Sequence, residues 1–308
     1  MNAVFMGTPE FAVPSLEILL KNNYRIAAVV TAPDKPRGRG QQVSFTPVKE
    51  CALKHSLPLL QPESLRSADF ISALSSLTPD LLVIVAFRIL PPEVFSIPAK
   101  GAFNLHASLL PKYRGAAPIN WAIINGEKES GVTTFFLREN VDTGNIILQA
   151  RVAIPESMTA GELHDTLSEV GAEIVLQTVR LIELGKTQPR QQDDSLSSPA
   201  PKIFKDDCRI NWGASAETVH NFIRGLSPHP AAWTMHHGAM LKIYQSENSE
   251  FRIQNSEAGR ISISEGKLYV SAGDSAISVL ELQQEGKKKM SAEEFLRGYR
   301  FIDGDILK

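Results

Sequence analysis

The first half of the chain alternates short apolar runs with segments of helical spacing. Residues 3–6 form an apolar run, residues 10–21 carry apolar side chains at helical intervals, and residues 26–31 form a β-branched run. Strand, helix and strand in this order predict a βαβ unit, whose two strands lie parallel in one sheet. The turn at residues 7–9 lacks the glycine pattern of dinucleotide-binding proteins. The pattern therefore indicates an α/β fold without a nicotinamide site.

Residues 81–86 form a continuous apolar run, which is typical of a central parallel strand buried on both faces. Further strands are predicted at residues 103–106, 131–137 and 146–149, with a helix at 116–125. Ligands of open α/β sheets bind outside the carboxyl ends of the strands. We therefore expect a binding site at the ends of the strands 81–86 and 103–106.

The pattern changes after residue 187, where a polar stretch rich in Gln, Asp, Ser and Pro begins. A helix is predicted at residues 215–226, and short alternating runs follow at regular spacing, as in a small β-barrel. We expect a first domain at 1–189, a linker at 190–205 and a second domain at 206–308. Residues 32–47 interrupt the first domain as a loop rich in Pro, Gly and basic residues.

The composition and charge of the chain argue against several classes of function. The 308 residues are 43% hydrophobic with a net charge of -2, which is typical of a soluble globular protein and gives no overall attraction to polyanions. We expect no signal peptide and no membrane span. The two cysteines have no metal-ligand spacing and fit a reducing cytoplasm. His236 and His237 are adjacent in sequence, so we expect no metal.

The strand at residues 103–106 carries two polar side chains that point to the same face. Asn104 and His106 are two positions apart, the repeat of a strand. An amide donor then stands beside a group that titrates near neutral pH. Taken alone, such a pair more often faces solvent or is satisfied within a core. Asp142, in a polar turn between two predicted strands, supplies an acid that could meet His106.

Several motifs together resemble the folate-dependent formyltransferases. Asn104 and His106 are followed by Ser108-Leu-Leu-Pro111, and Asp142-Thr-Gly matches the acid of that family. Across both domains the chain is most similar to the members that formylate methionyl-tRNA. The supporting motifs are residues 7–9, the loop 34–40, residues 110–118, and residues 226–230 with Trp233. The family commonly has a Tyr-Gly pair where this chain has Phe87-Arg88, and basic residues at the positions of Gln41 and Gln42.

The resemblance implies a Rossmann-like formyltransferase domain with a parallel-rich sheet, followed by a smaller OB-like β-barrel that helps to hold tRNA. It implies 10-formyltetrahydrofolate as co-substrate and initiator methionyl-tRNA as partner. Asn104 and His106 would donate hydrogen bonds to the developing oxyanion, and Asp142 would orient His106 and relay protons. The residues expected to line the folate site are Phe87, Ile89, Leu90, Ser108, Leu109, Leu110 and Pro111. The residues expected to contact tRNA phosphates are Lys35, Arg37 and Arg39.

Two alternatives remain open from the sequence. The same three catalytic residues would serve a formyltransferase that acts on a nucleotide sugar or on another small amine. A protein of a different class, a noncatalytic RNA-binding protein, would not need the set Asn104, His106 and Asp142. Nothing in the sequence requires more than a monomer.

Overall fold

A computed structural model of the protein describes residues 1–37, 42–249 and 257–308. The chain divides into two compact units. The first comprises Met1–Gly115, Ser130–Val152 and His164–Pro199, and the second Ala116–Glu129, Ala153–Leu163 and Ala200–Lys308.

Strands and helices are numbered in chain order over the described residues. The strands are β1 (Asn2–Gly7), β2 (Arg25–Val30), β3 (Lys35–Arg37), β4 (Gln42–Ser44), β5 (Leu59–Leu60), β6 (Leu81–Val85), β7 (Ala102–His106), β8 (Arg114–Gly115), β9 (Glu129–Phe136), β10 (Ile146–Ala153), β11 (Pro199–Ala200), β12 (Ala232–His236), β13 (Ala239–Ser249), β14 (Ile261–Ser264), β15 (Lys267–Ser271), β16 (Ala276–Gln284) and β17 (Met290–Ser291). The α-helices are α1 (Val13–Lys21), α2 (Pro47–Lys54), α3 (Ala68–Ser76), α4 (Pro92–Phe95), α5 (Pro118–Ile124), α6 (Ala160–Glu183), α7 (Ala216–Leu226) and α8 (Ala292–Gly298).

The main sheet of the first unit has the strand order β10-β9-β7-β6-β1-β2-β5 within the described residues. β1 lies parallel to both β2 and β6, and β6 lies parallel to β7, whereas β7 and β9 are antiparallel. The predicted α/β class with a parallel-rich sheet is confirmed. Because β1, β6 and β7 are parallel, their carboxyl ends meet at one edge of the sheet.

The sheet is central to the hydrophobic core of this unit. All five residues of β6 are buried, as its continuous apolar sequence predicts. Val4, Met6, Leu82 and Ile84 pack with Phe70 and other apolar side chains on one side of the sheet. Each fully buried side chain of this size stabilises the fold by about 1.5–3 kcal/mol. The strands that end at the candidate site are therefore held rigidly.

Gly7, at the end of β1, occupies a position with no room for a side chain. An ideal Cβ there would lie 2.8 Å from the Cβ of Ala12 and 3.0 Å from the carbonyl oxygen of Val85. The turn therefore needs glycine so that the segment leading into α1 can approach the neighbouring strand closely.

The segment 32–47, predicted as a loop, contains the short antiparallel strands β3 and β4, with Lys35 opposite Ser44. Strands of three residues are too short to produce a readable alternation, and for that reason the sequence did not reveal them. The base of the segment is closed by a 2.8 Å hydrogen bond between the hydroxyls of Thr31 and Thr46. Asp34 accepts hydrogen bonds from Lys49 and Gln61 there.

The second unit contains an antiparallel sheet of order β12-β13-β16-β15-β14, with β17 beside β16, over the residues described. α7 and α8 pack their apolar residues, including Ile223 and Phe295, against this sheet. The predicted helix and the strand-rich character are confirmed. The predicted strand at 251–253 lies outside the described residues, and the OB-like barrel stays a prediction. None of the described helices combines the length and apolar character needed to cross a bilayer.

Candidate active site

Asn104 and His106 lie at the carboxyl end of β7, which is hydrogen-bonded to β6 on one side and to β9 on the other. Asn104 pairs with Ile84 of β6 and with Phe135 of β9. Strand geometry places the Asn104 and His106 side chains on the same face. The Asn104 amide makes no hydrogen bond to another described residue and is partly exposed. It is therefore free to donate to a ligand.

The His106 ring is fixed by a main-chain atom. His106 is 6% exposed, and its Nε2 lies 2.8 Å from the carbonyl oxygen of Tyr113. A carbonyl only accepts hydrogen bonds, so Nε2 carries the proton and donates it. The neutral ring then has its lone pair on Nδ1. Tyr113 itself is held by a 2.9 Å hydrogen bond from its backbone N–H to the Ser198 hydroxyl.

Asp142 faces the other nitrogen of this ring. Its Oδ2 lies 3.8 Å from His106 Nδ1, within ion-pair range but beyond a hydrogen bond. The same oxygen accepts a 3.0 Å hydrogen bond from the backbone N–H of Gly115. Asp142 has φ of 56°, the left-handed region that Asp tolerates better than most residues. The fold therefore brings Asp142 to His106, although the Tyr113 carbonyl, rather than Asp142, orients the ring.

Gln192 holds the turn that carries Asp142. Its Nε2 donates to the carbonyl oxygens of Asp142 and Gly144, both at 2.8 Å. Its Oε1 accepts from Arg114, at 3.1 Å from Nε and 2.7 Å from Nη2. Gln192 is 6% exposed, so this amide is satisfied on both sides within the protein. The turn is therefore fixed from a segment far along the chain.

The loop after β7 is fixed by side chains of the neighbouring strands. Thr133 donates to the Ser108 carbonyl at 2.6 Å and accepts from the Leu110 N–H at 3.1 Å. Gln149 donates to the Leu110 carbonyl at 2.9 Å. The Ser108 hydroxyl donates to the Lys112 carbonyl at 2.6 Å. These bonds define the backbone path from His106 to Tyr113.

The residues expected to line the folate site divide into two groups. Ser108, Leu110 and Leu90 are buried, and Leu110 packs with Phe135 and Ile146 in the core. These three therefore expose almost no side-chain surface to a ligand. The residues that present surface are Phe87, Ile89, Leu109 and Pro111. Ile89 is 73% exposed.

Arg88, at the position where the family commonly has glycine, bridges to another loop. Its guanidinium donates to the carbonyls of Pro62 at 2.8 Å and Glu63 at 3.0 Å. It also lies 5.3 Å from the ring centroid of Phe87. The side chain thus ties the segment after β6 to residues 62–63.

A polar cavity of about 530 Å³ adjoins the Asp142 turn. Its walls include residues 137–140, Thr143, Gln191 and Gln192. Amide, guanidinium and carboxylate groups are all available there. None of the seven residues expected to line the folate site is among the residues that line this cavity, and neither is Asn104 or His106.

Two of the three residues expected to contact tRNA, Lys35 and Arg37, lie in β3. Lys35 is exposed, and Arg37 ends β3. Arg39 lies outside the described residues.

Sequence reasoning missed the residues that hold the site together. The Tyr113 carbonyl is a main-chain atom, and Gln192 and Ser198 lie in the polar stretch assigned to the linker. The one sequence signal for Gln192 and Ser198 is the polar composition of their segment. Surface loops in general have such a composition, so it does not identify residues that support a site.

Comparison with known proteins identifies the family. The formyl transferase family model matches residues 1–179, and the model of the formyl transferase C-terminal domain matches residues 202–300. The chain belongs to the formyl transferase family. The resemblance seen in the sequence is thereby confirmed.

Relatives within this family match over their whole length. The chain is 47% identical to a methionyl-tRNA formyltransferase of Caldanaerobacter subterraneus subsp. tengcongensis, covering 100% of both chains. It is 50% identical to a methionyl-tRNA formyltransferase of Chlorobium limicola, covering 98% of this chain and 97% of the relative. Among solved structures, the sugar 3N-formyl transferase WlaRD aligns with a TM-score of 0.69 at 21% identity, covering 94% of this chain and 99% of that one. That likeness shows the fold.

Proposed function

We propose that this protein transfers the formyl group of 10-formyltetrahydrofolate to the α-amino group of methionyl-initiator tRNA, for the initiation of translation. The observation that carries the proposal is the full-length similarity, at 44–50% identity, to proteins named methionyl-tRNA formyltransferase. The sugar formyltransferase structures, at 17–24% identity, support the fold and not a sugar substrate. We further propose that it acts as a monomer in the cytoplasm.

The candidate site fits a folate co-substrate. The Asn104 amide has no hydrogen bond to other described residues, which suits a donor reserved for a ligand. Solved formyltransferase-like structures include WlaRD with 5-N-formyl-THF and HypX with tetrahydrofolic acid. The folate supplies an electrophilic formyl carbon when bound.

The chain's own residues then supply a donor and a base. Asn104 Nδ2 donates to the formyl oxygen as this oxygen gains negative charge, and one such donor is worth about 10²–10³ in rate. Because Tyr113 keeps the proton on His106 Nε2, the lone pair of Nδ1 accepts the proton of the attacking amine. The resulting imidazolium lies 3.8 Å from the Asp142 carboxylate, which stabilises the charge. Nδ1–H first donates to the oxyanion and then returns its proton to the folate nitrogen, as the bond between that nitrogen and the formyl carbon breaks.

In the proposed division of the chain, residues 1–189 perform this chemistry and residues 206–308 hold tRNA, joined by the linker 190–205. The segment that carries Lys35, Arg37 and Arg39 contacts tRNA phosphates in this scheme. An anionic backbone attracts such side chains and releases counterions on binding.

The substrate is tested by incubating the full-length protein with 10-formyltetrahydrofolate and initiator tRNA charged with labelled methionine. We expect formylmethionyl-tRNA, and no formylation of a nucleotide-linked amino sugar under the same conditions. Formylation of the amino sugar alone would refute the proposed acceptor. Tight tRNA binding without any transfer would favour a noncatalytic RNA-binding protein.

The catalytic assignment is tested by Asp142→Asn and His106→Ala. Loss of a positioned acid or base costs about 10²–10⁴ in rate, and unfolding measured in parallel should show that both variants remain folded. Asp165→Asn, at an exposed carboxylate, is the matched control and should leave the rate unchanged. Near-normal turnover by both site variants would refute the roles of Asp142 and His106 without touching the substrate assignment.

A further inference from the structure

Two adjacent histidines meet at the tight turn between β12 and β13. His236 ends β12 and pairs with Ala239, so that His237 and Gly238 alone form the turn. Both turn residues have positive φ, 46° and 81°, as in the type I′ turns that suit twisted hairpins. The turn carries the His237 ring back to within 4.3 Å of the His236 ring, centroid to centroid.

Asp305 reaches both imidazoles from the C-terminal segment. Its Oδ2 lies 3.0 Å from His236 Nε2 and 3.5 Å from His237 Nε2, and the three atoms all lie within 4.8 Å of one another. The segment is secured beside β12, because the backbone groups of Met235 and Lys308 exchange hydrogen bonds of 2.7 and 2.9 Å. A carboxylate and two imidazoles therefore converge from two separate parts of the chain.

The spacing of these atoms suits a tetrahedral metal ion. Bonds of about 2.0–2.1 Å from a zinc ion to nitrogen and oxygen place neighbouring ligands about 3.3 Å apart. Two of the three separations, 3.0 and 3.5 Å, lie on either side of this value, and the third, between the two imidazole nitrogens, is within 4.8 Å. Histidine ligands usually donate their second ring N–H to a fixed partner, and His236 Nδ1 lies 2.8 Å from the Tyr299 hydroxyl. Since His237 is 71% exposed, an ion can enter from solvent.

We propose that His236, His237 and Asp305 bind a zinc ion or another divalent first-row transition metal. Two imidazoles and one carboxylate favour such an ion over magnesium or calcium. Coordination places the proton of neutral His236 on Nδ1, from which it is donated to the Tyr299 oxygen. All four residues belong to the second unit, whereas Asn104, His106 and Asp142 belong to the first. The ion would fasten the C-terminal segment to the hairpin, a role outside formyl transfer.

This site departs from the expectation that the chain binds no metal. That expectation rested on sequence spacing, because adjacent residues of a regular strand point to opposite faces. This constraint does not apply to His237, because β12 ends at His236 and His237 belongs to the turn. The third ligand, Asp305, is about seventy positions away in the sequence. The three ligands therefore form no short motif that could be recognised from residue spacing.

The test is a titration of the full-length protein, freed of metal by chelation and dialysis, with zinc chloride by calorimetry and with cobalt chloride by visible absorption. We expect one equivalent to bind and the visible bands of tetrahedral cobalt to appear. His237→Gln should weaken this binding at least tenfold, because loss of even a hydrogen-bond partner of a metal ligand typically costs about 10–100-fold in affinity. Because His237 is exposed, this variant should fold normally. The melting temperature should rise with zinc in the parent protein and not in the variant.

His164→Gln is the matched control. His164 also lies beside a carboxylate, with Nδ1 2.9 Å from Asp165 Oδ1, and should be replaceable without effect on metal binding. A second cluster, Glu17, Cys51 and His55, contains a thiol, so metal bound there would show a thiolate charge-transfer band. Binding with that band, binding unaffected by His237→Gln, or no binding by the parent protein would each overturn the proposal.

Discussion

Replacement of Gln192 by alanine should separate Asp142 from His106 without changing either of these residues. Gln192 donates to the carbonyls of Asp142 and Gly144 and accepts from Arg114. Alanine removes the whole bridge, so the turn loses its attachment to the segment 191–192. We expect Asp142 to move away from His106, while Asn104 stays in place on its strand.

The size of the effect follows from these contacts. Two hydrogen bonds between neutral groups contribute about 1 kcal/mol each. The two contacts of the charged Arg114 share one acceptor atom and together contribute about 1.5 kcal/mol, for a sum of about 3.5 kcal/mol. Arg114 keeps its 2.7 Å ion pair with Asp194, and water can reach the partly exposed Asp142. We therefore expect the free energy of unfolding to fall by about 2–3 kcal/mol. A displacement of about 1 Å in a catalytic group costs about 10²-fold in rate.

The assay is steady-state formylation of charged initiator tRNA, with denaturant unfolding measured in parallel. In Gln192→Ala, kcat should fall about 10²-fold while KM for tRNA stays unchanged. Gln192→Glu keeps the acceptor for Arg114 but cannot donate to the two carbonyls, so it should lose kcat as well. The control is Asp165→Asn, because Asp165 is 83% exposed and its loss should change stability by less than about 0.5 kcal/mol. Normal kcat in both Gln192 variants would refute the proposed positioning role.

Three further predictions concern other parts of the chain. Burial lowers the pKa of His220, so the unfolded state binds more protons than the folded state. The free energy of unfolding should therefore fall as the pH drops below about 6.5, by at most about 1.4 kcal/mol per pH unit from this group. This pH dependence should flatten in His220→Gln, and equal slopes in the two proteins would contradict the prediction. Gly144→Ala should lower the melting temperature strongly, because its Cβ would lie 1.6 Å from the Phe136 carbonyl oxygen, whereas Gly298→Ala, with open space around it, should not. Lys35→Ala should reduce the slope of log affinity for tRNA against log salt by about 0.7–0.9, the share of one phosphate contact, and an unchanged slope would exclude that contact.

The parts of the fold that could be predicted are those set by local periodicity. The βαβ unit, the buried strand β6 and helix α7 all follow from apolar spacing over several residues. The helix start at Thr159 also follows, since its side chain accepts from the Glu162 N–H at 3.3 Å and the Glu162 carboxylate accepts from the Thr159 N–H at 2.8 Å. Such signals lie within a few residues of each other and need no tertiary information.

The parts that could not be predicted depend on contacts between distant segments. The spacing of Asn104 and His106 indicated a shared face, but not which atom would hold the ring. In the sequence, Gln192 is an ordinary polar residue. Only the fold shows that its amide binds the carbonyls of the Asp142 turn. His236 and His237 read as an unsuitable pair until a two-residue turn brings their rings together. In each case the deciding partner is a backbone atom or a residue from another region.

The hydrogen bond from His106 to the Tyr113 carbonyl has a consequence for mutational scanning. Every amino acid at position 113 supplies the same carbonyl, so no single substitution there deletes the acceptor. A scan would report the packing of the tyrosine ring and its left-handed backbone, with φ of 60°, and would miss control of the proton position on His106. Substitutions at position 113 therefore leave the tautomer of His106 unchanged. A chemical change of the main chain, such as a thioamide introduced at residue 113 by semisynthesis, would be needed to expose it.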